Sequence, residues 1–344
     1  MKSSTLLAPC VLALLIASCA EPQRCGANTD SEEAVDDDDR QLPLCLVKDV
    51  ELTGNVSRFD YQDVDAPNHQ LILAHMGDSA VIVFDLDTDQ VKATLTDIPT
   101  VRGVLAAPSV NRLYATASAS DELVIIDATR LEVVKRVSTG TGPDGLAWDG
   151  VSHVVAISAQ RAGQVTLIAD DGEGTRTDVD VGNDTGNVAF HDGRGSFFAT
   201  VVSPEQLVEI SPAGDVLSRI DLPGCAGAHG LRFHPDGKSA LVACEVGGAL
   251  VRVSLEADHA IVSAGTALGP DVLSVDPGFG WIYVAAEGGD LRVFDINGAG
   301  LTELVSQNAG GRAHSVAVDP ATHKVYLPLE DGGAGKPVLR ILSP

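Results

Sequence analysis

Two cysteines, two histidines and a glutamate fall within PGCAGAHGLRFHPDGKSALVACE, from Pro223 to Glu245. Thiolate, imidazole and carboxylate are the ligand types of a transition-metal site, here Cys225, His229 and Cys244 with Glu245 beside them. The same two cysteines could instead form a disulfide. The compartment and the fold decide between these readings.

The chain ends speak to the compartment. Lys2 precedes an apolar run from Leu6 to Ile16, which is signal-peptide length and too short to span a bilayer. It ends in Ile16-Ala17-Ser18-Cys19, which resembles a bacterial lipobox. That resemblance implies a leader over 1–18 and a lipid on Cys19 holding the protein to a membrane. Ala20, where Asp would favour retention, implies an outer-membrane protein facing the periplasm or the cell surface. Secretion without lipid is the alternative. Residues 19–41 are polar and acidic, with Asp36 to Asp39 in a run, and are expected to form a disordered tether rather than a calcium site.

Six cysteines less Cys10 of the leader and Cys19 leave Cys25, Cys45, Cys225 and Cys244. An even number in an exported chain favours disulfides, with three pairings open. Lys plus Arg number 23 against 48 Asp plus Glu, a net charge of −25. Such a surface repels phosphate backbones, so nucleic acid is excluded as a partner. No second apolar segment is long enough for a transmembrane helix, and a monomer is expected.

Residues 42–344 contain a repeat. LAWDG, VAFHDG, LRFHPDG, LSVDPG and VAVDPA share alternating apolar residues, then Asp or His, then a Pro or Gly turn. DVDAP and LAAPS are weaker copies. The anchors Asp65, Ala107, Asp149, His191, His234, Asp276 and Asp319 stand 42 or 43 residues apart. Each copy reads as four short strands, the signature of a β-propeller blade. GPDGLAWD, AHGLRFHPDGKSALVA, GPDVLSVDPGFGWIYVA and AHSVAVDPATHKVYLP resemble the YVTN (YncE-like) propeller family. The resemblance spans nearly all of the mature domain and implies architecture rather than activity.

The expected fold is therefore all-β: a seven-bladed propeller of four-stranded blades. The seventh copy stops after its third strand, at PVLRILSP. LCLVKDVEL, from Leu44 to Leu52, precedes the first copy and is expected to supply the missing strand. A Cys25–Cys45 bond would pin the tether to it.

Superposing the copies places the chemistry. Five residues before each anchor stand Asp60, Arg102, Asp144, Gly186, His229, Asp271 and His314. Eleven after stand Met76, Ser118, Gln160, Val202, Glu245, Glu287 and Glu330. The first and second strands are antiparallel, so both sets should ring one mouth of the channel. Asp60, Asp144, His229, Glu245, Asp271, Glu287, His314 and Glu330 are the candidate ligand-binding residues, with His75 close by. His229, His314, Glu245, Glu287 and Glu330 are candidate ligands for a divalent metal ion, or for general acid and base work. A wet mouth satisfied by water is the plainer alternative. His191 and His234 read as turn caps on the opposite face, and His69, His153, His259 and His323 as loop residues without a role. Asp85-Leu86-Asp87-Thr88-Asp89 lacks the Gly and Glu of a calcium loop and reads as a hairpin turn.

No nucleophile elbow, phosphate loop or haem motif appears. The first functional expectation is a lipid-anchored binding or scaffold protein that presents its mouth to a protein, peptide or envelope ligand. The alternatives are a metal-dependent hydrolase of the lactonase kind and a metal-binding or redox-partner protein.

Overall fold

The computed structural model describes residues 44–344. The leader, the lipidation candidate Cys19, the tether and Cys25 lie outside the described residues. Cys45 is itself disulfide-bonded. Among the described residues no helix is long and apolar enough to cross a membrane.

The repeat folds as its pattern dictates. Seven four-stranded antiparallel sheets follow one another in chain order. Their inner strands are Gln62–Asp65, Val101–Ala107, Pro143–Asp149, Asn183–His191, Ala228–Phe233, Pro270–Asp276 and Ala317–Val318, in blades one to seven. Each inner strand touches those of its two neighbours, and blade seven touches blade one, so the ring is closed.

Hydrophobic patterning explains the radial order. The second strands Val154–Ala159, Ser239–Cys244 and Trp281–Ala286 are buried at every residue. They lie between adjacent sheets with both faces covered, so they read as apolar runs rather than alternating ones. The fourth strand Gln90–Leu95 alternates exposed and half-buried residues, as a rim strand packed on one side should. Apolar clusters fill the spaces between blades. Phe59, Leu71 and Phe84 of blade one meet Tyr326, Leu339 and Ile341 of blade seven across the seam.

The anchor residues cap the turns opposite the mouth. Val151, Gly278 and Ala321 donate backbone N–H bonds to Asp149, Asp276 and Asp319, at 2.8, 2.9 and 3.0 Å. His191 Nδ1 takes the N–H of Arg194 in the same way. The loop histidines do have a common role. His69, His153, His259 and His323 all adopt left-handed backbone, at φ 49, 56, 45 and 58°, where non-glycine residues are uncommon and Asn, Asp and His are enriched. His323 also lies 2.7 Å from Asp276 and stacks on Phe279, bracing blade seven against blade six. Asp85 accepts the N–H groups of Asp87 and Thr88, which is the expected hairpin turn.

Cys45–Glu51 pairs antiparallel with Val338–Ser343 and is the outermost strand of blade seven. Arg340 clamps Asp49 through both oxygens, at 2.9 and 2.7 Å. The N-terminal strand thus completes the last blade, as its isolated position in the sequence predicts. Deleting residues through Glu51 is expected to open this blade and expose the Val338–Ser343 edge. Thermal unfolding should then show a melting temperature lower by many degrees and aggregation on heating. An unchanged melting curve would remove closure from the account.

Candidate ligand and metal site at the channel mouth

A repeated local irregularity aims the site residues. In blades two to six the pairing of inner and second strands slips at one place, between Val101 and Val104, Pro143 and Leu146, Thr185 and Val188, Ala228 and Leu231, and Pro270 and Leu273. The slip brackets the residue five before the anchor in every case. Such bulges redirect side chains and leave N–H groups outside the ladder. Hydroxyls of the second strands take them up: Thr116 from Gly103 at 2.7 Å, Ser158 from Gly145 at 2.9 Å and Thr200 from Asn187 at 2.8 Å. Thr116 then donates to the carbonyl of Asp144, and Thr200 to that of His229, at 2.9 and 2.6 Å. Thr116 and Thr200 thus tie one blade's bulge to the next blade's site residue. Gly103 and Gly230 permit this approach, since a Cβ there would lie 2.2 Å from the Asp144 carbonyl and 2.1 Å from that of Asp271.

Asp60, Asp144, His229, Glu245, Asp271 and Glu287 line a single cavity of about 160 Å³, with Met76, Arg102 and Gln160. All nine are positions that the superposed repeats place at the mouth. His314 is fully buried next to this group, and Glu330 stands at the rim beside Arg312 at 3.5 Å. His75 does not join the cavity: it stacks on Phe59 at 4.1 Å and meets Ser57 Oγ at 3.0 Å. Arg58 does join it, through two bonds to Glu287 at 2.6 and 3.0 Å. It stands seven residues before its anchor, a place filled in the other copies by Thr100, Gly142, Asp184, Gly227, Gly269 and Arg312, and outside the two superposed mouth positions. Its sequence signal is an arginine two residues before Asp60, repeated as Arg312 before His314.

The mouth gathers more carboxylates than cations. His229 lies 3.6 Å from Asp144 and 3.1 Å from Asp271. Burial disfavours a charged imidazole, but the two carboxylates outweigh it and hold the His229 pKa well above its usual value. Burial also penalises ionised Asp271, and His229 outweighs that penalty, leaving its carboxyl below the usual range. Asp60 is only partly relieved: burial, then Asp144 and Asp271, raise it well above that range, with Arg102 and Arg58 opposing. Burial raises Glu245 as well, with Asp271 and Glu287 adding to the effect. Arg102 bonds Gln160 at 2.9 Å and reaches to 3.8 Å from Asp144.

Three side chains at this mouth could hold a cation. Asp271, Glu287 and His314 each offer a ligand atom, and these atoms lie within 4.8 Å of one another. His314 is fully buried and its Nε2 has no partner, while Nδ1 faces the Arg312 carbonyl at 3.3 Å. Asp271 Oδ1 faces His229 Nδ1 at 3.1 Å. The expected metal set is thus regrouped. Glu287 and His314 remain and Asp271 joins them. His229 is drawn between Asp144 and Asp271, and Glu245 and Glu330 stand apart from the trio. Cys225 and Cys244 are joined as a disulfide, both fully buried, so no thiolate faces the mouth.

Deeper in the channel the inner strands of blades one to five form a second chamber. Asp63 accepts the Ala106 N–H at 2.8 Å and is half-buried. Burial pushes its carboxyl up to about 6, with the Ala106 bond and Arg232 opposing that push. The sequence gives no hint of this chamber, because Asp63 and Arg232 occupy a repeat position filled elsewhere by Leu105, Ala147, Ala189, Ser274 and Ala317.

Comparison with known proteins agrees with the fold. A family model described as SdiA-regulated matches residues 174–269, from the end of blade three through blade five. No curated protein matches the chain in sequence. Among solved structures, virginiamycin B lyase from Staphylococcus aureus superposes with a TM-score of 0.71 at 12% identity, covering 86% of this chain and 98% of that one. A chain of Kuenenia stuttgartiensis hydrazine synthase gives 0.72 at 14%, covering 85% and 97%. A chain of a mitotic checkpoint complex gives 0.75 at 13%, covering 94% and 98%. At such identities the likeness is one of fold. The class defined here is a seven-bladed β-propeller with an asymmetric, carboxylate-rich channel mouth.

Two predictions follow from this geometry. Replacing Cys225 and Cys244 together by Ala should cost about 3 kcal/mol, as expected for a bond closing a loop of this length, measured by denaturant unfolding. A cost near zero would mean that the bond does not restrain the blade. For Asp63 the folded pKa lies above the unfolded one. Its stabilising contribution is therefore present below the ordinary carboxyl value and lost as pH rises through about 6. Asp63→Asn should gain stability relative to wild type over that window and hold the gain above it. A flat difference across the window would contradict the assignment.

Proposed function

We propose that this protein is a binding propeller whose channel mouth takes a divalent cation and, through it, an extracytoplasmic ligand. One observation carries the proposal: fully buried His314, whose Nε2 lacks a partner, offers a ligand atom within 4.8 Å of those of Asp271 and Glu287. An unpartnered buried ring nitrogen is costly, and a cation shared with the two carboxylates would relieve it. Two carboxylates and one imidazole suit Mn²⁺, Mg²⁺ or Zn²⁺, whereas copper(I) prefers sulfur ligands. The surplus of carboxylates at the mouth draws cations towards it. Arg102 would meet anionic groups of an incoming peptide or envelope glycan. The lipobox-like Cys19, the acidic tether over 19–41 and the YVTN-like motifs support an outer-membrane lipoprotein of the YncE-like kind as the setting.

A second reading, metal-dependent hydrolysis or elimination, draws on His229. An imidazole held between two carboxylates beside a metal group can relay a proton. The structural neighbour described as an antibiotic lyase is an enzyme on this fold, which makes such chemistry compatible with a propeller.

Equilibrium dialysis with metal analysis tests the main proposal. One equivalent of Mn²⁺ or Zn²⁺ per chain is expected. His314→Gln and Asp271→Asn should each weaken binding by about tenfold or more. Metal at a hundredfold excess over its Kd should stabilise the protein by about 2.7 kcal/mol. No stoichiometric metal would leave only a scaffold role. Metal-dependent cleavage of a lactone or ester, lost in His229→Gln while metal is still bound, would favour the enzyme.

A further inference from the structure

The second chamber has about 350 Å³ of space, within the range of small-molecule sites. It has two kinds of wall. Leu105, Leu146, Trp148 and Phe190 make one side apolar and aromatic. Asp63, Arg232 and Tyr61 make the other polar.

The polar groups are incompletely used. Arg232 Nη1 donates to the Leu231 carbonyl at 2.9 Å, and among the described residues it forms no ion pair. Asp63 and Arg232 influence each other electrostatically, yet they do not come within ion-pairing distance. Asp63 uses Oδ2 for the Ala106 N–H. Tyr61 lies at 5% exposure, and its buried hydroxyl has no partner. An arginine and an aspartate facing one space without meeting leave room for a molecule that bridges them. A planar guanidinium matches a carboxylate in two bonds. A carboxylate on the wall matches an ammonium or amide donor. The apolar wall matches a hydrocarbon or aromatic body between them.

We propose that this chamber is a binding site, separate from the mouth, for a small zwitterion with an apolar body, of the α-amino-acid class. The ligand carboxylate pairs with Arg232 and its ammonium group with Asp63. The Tyr61 hydroxyl donates to the same carboxylate, and the side chain lies against Trp148 and Phe190. Each contact addresses a different part of the molecule. Ligands that lack either charge should therefore bind more weakly than the zwitterion.

The test is calorimetric titration of the full chain with L-phenylalanine, 3-phenylpropionate and phenethylamine, with chelator present so that the mouth cation plays no part. Saturable one-to-one binding of L-phenylalanine is expected, with each single-charge analogue weaker by about tenfold or more. Arg232→Met should weaken L-phenylalanine by at least that factor. Asp63→Asn should weaken L-phenylalanine and leave 3-phenylpropionate unchanged, which keeps the test decisive if Arg232→Met fails to fold. No saturable binding of L-phenylalanine overturns the proposal. So does binding that neither variant alters.

Discussion

Everything in this molecule depends on closing a ring of seven sheets. A four-stranded blade cannot bury both of its faces alone, and each blade here uses its neighbours to do so. The pairing of Cys45–Glu51 with Val338–Ser343 gives blade seven its fourth strand and joins the two ends of the described chain in one sheet. Only a closed ring fixes seven inner strands around one axis. Only then do residues as distant in sequence as Arg58 and Glu287 meet.

A nearly regular scaffold carries an irregular site. The same bulge recurs in five blades, with a second-strand hydroxyl on its freed N–H in three of them, so the scaffold delivers one side chain per blade to nearly the same height. What differs is the side chain delivered: Arg102, Asp144, Gly186, His229 and Asp271 occupy equivalent places. Carboxylates thereby converge, with Asp60, Asp144 and Asp271 all buried. The responses diverge accordingly. The Asp271 carboxyl is held below the usual range beside His229, while that of Asp60, without a close imidazole, is pushed well above it. Closely spaced acids whose pKa values are driven apart are the arrangement from which binding and proton transfer are built. The Cys225–Cys244 bond lies on the same blade as His229 and Glu245 and holds the loop that feeds them.

Much of this was legible in the sequence, because repetition converts spacing into position. A period of 42 or 43 residues gave the blade count, the missing strand and the height of each mouth residue. Nine cavity-lining side chains stand at the two superposed positions. The remainder was hidden for physical reasons. Arg58 superposes on Arg312 but on glycine or short polar residues in the other copies, so the position does not read as a mouth position by itself. His75 sits next to a mouth position, but its ring turns to stack on Phe59, and rotamers are set by packing. The loop histidines carried a turn signal in their left-handed backbone, which residue type alone does not announce. The trio of Asp271, Glu287 and His314 depends on distances between blades six and seven, and spacing within a repeat says nothing of the angle between repeats. Asp63 and Arg232 are exceptions to an otherwise small or apolar position, visible only once that position is known to face the channel.

The central claim is that the mouth is a cation site made by two adjacent blades. Anomalous diffraction from crystals of the protein grown with Mn²⁺ tests it most directly. The account predicts one strong peak among Asp271, Glu287 and His314, absent from crystals of His314→Gln. A mouth without a peak, or a peak held by other side chains, would contradict it.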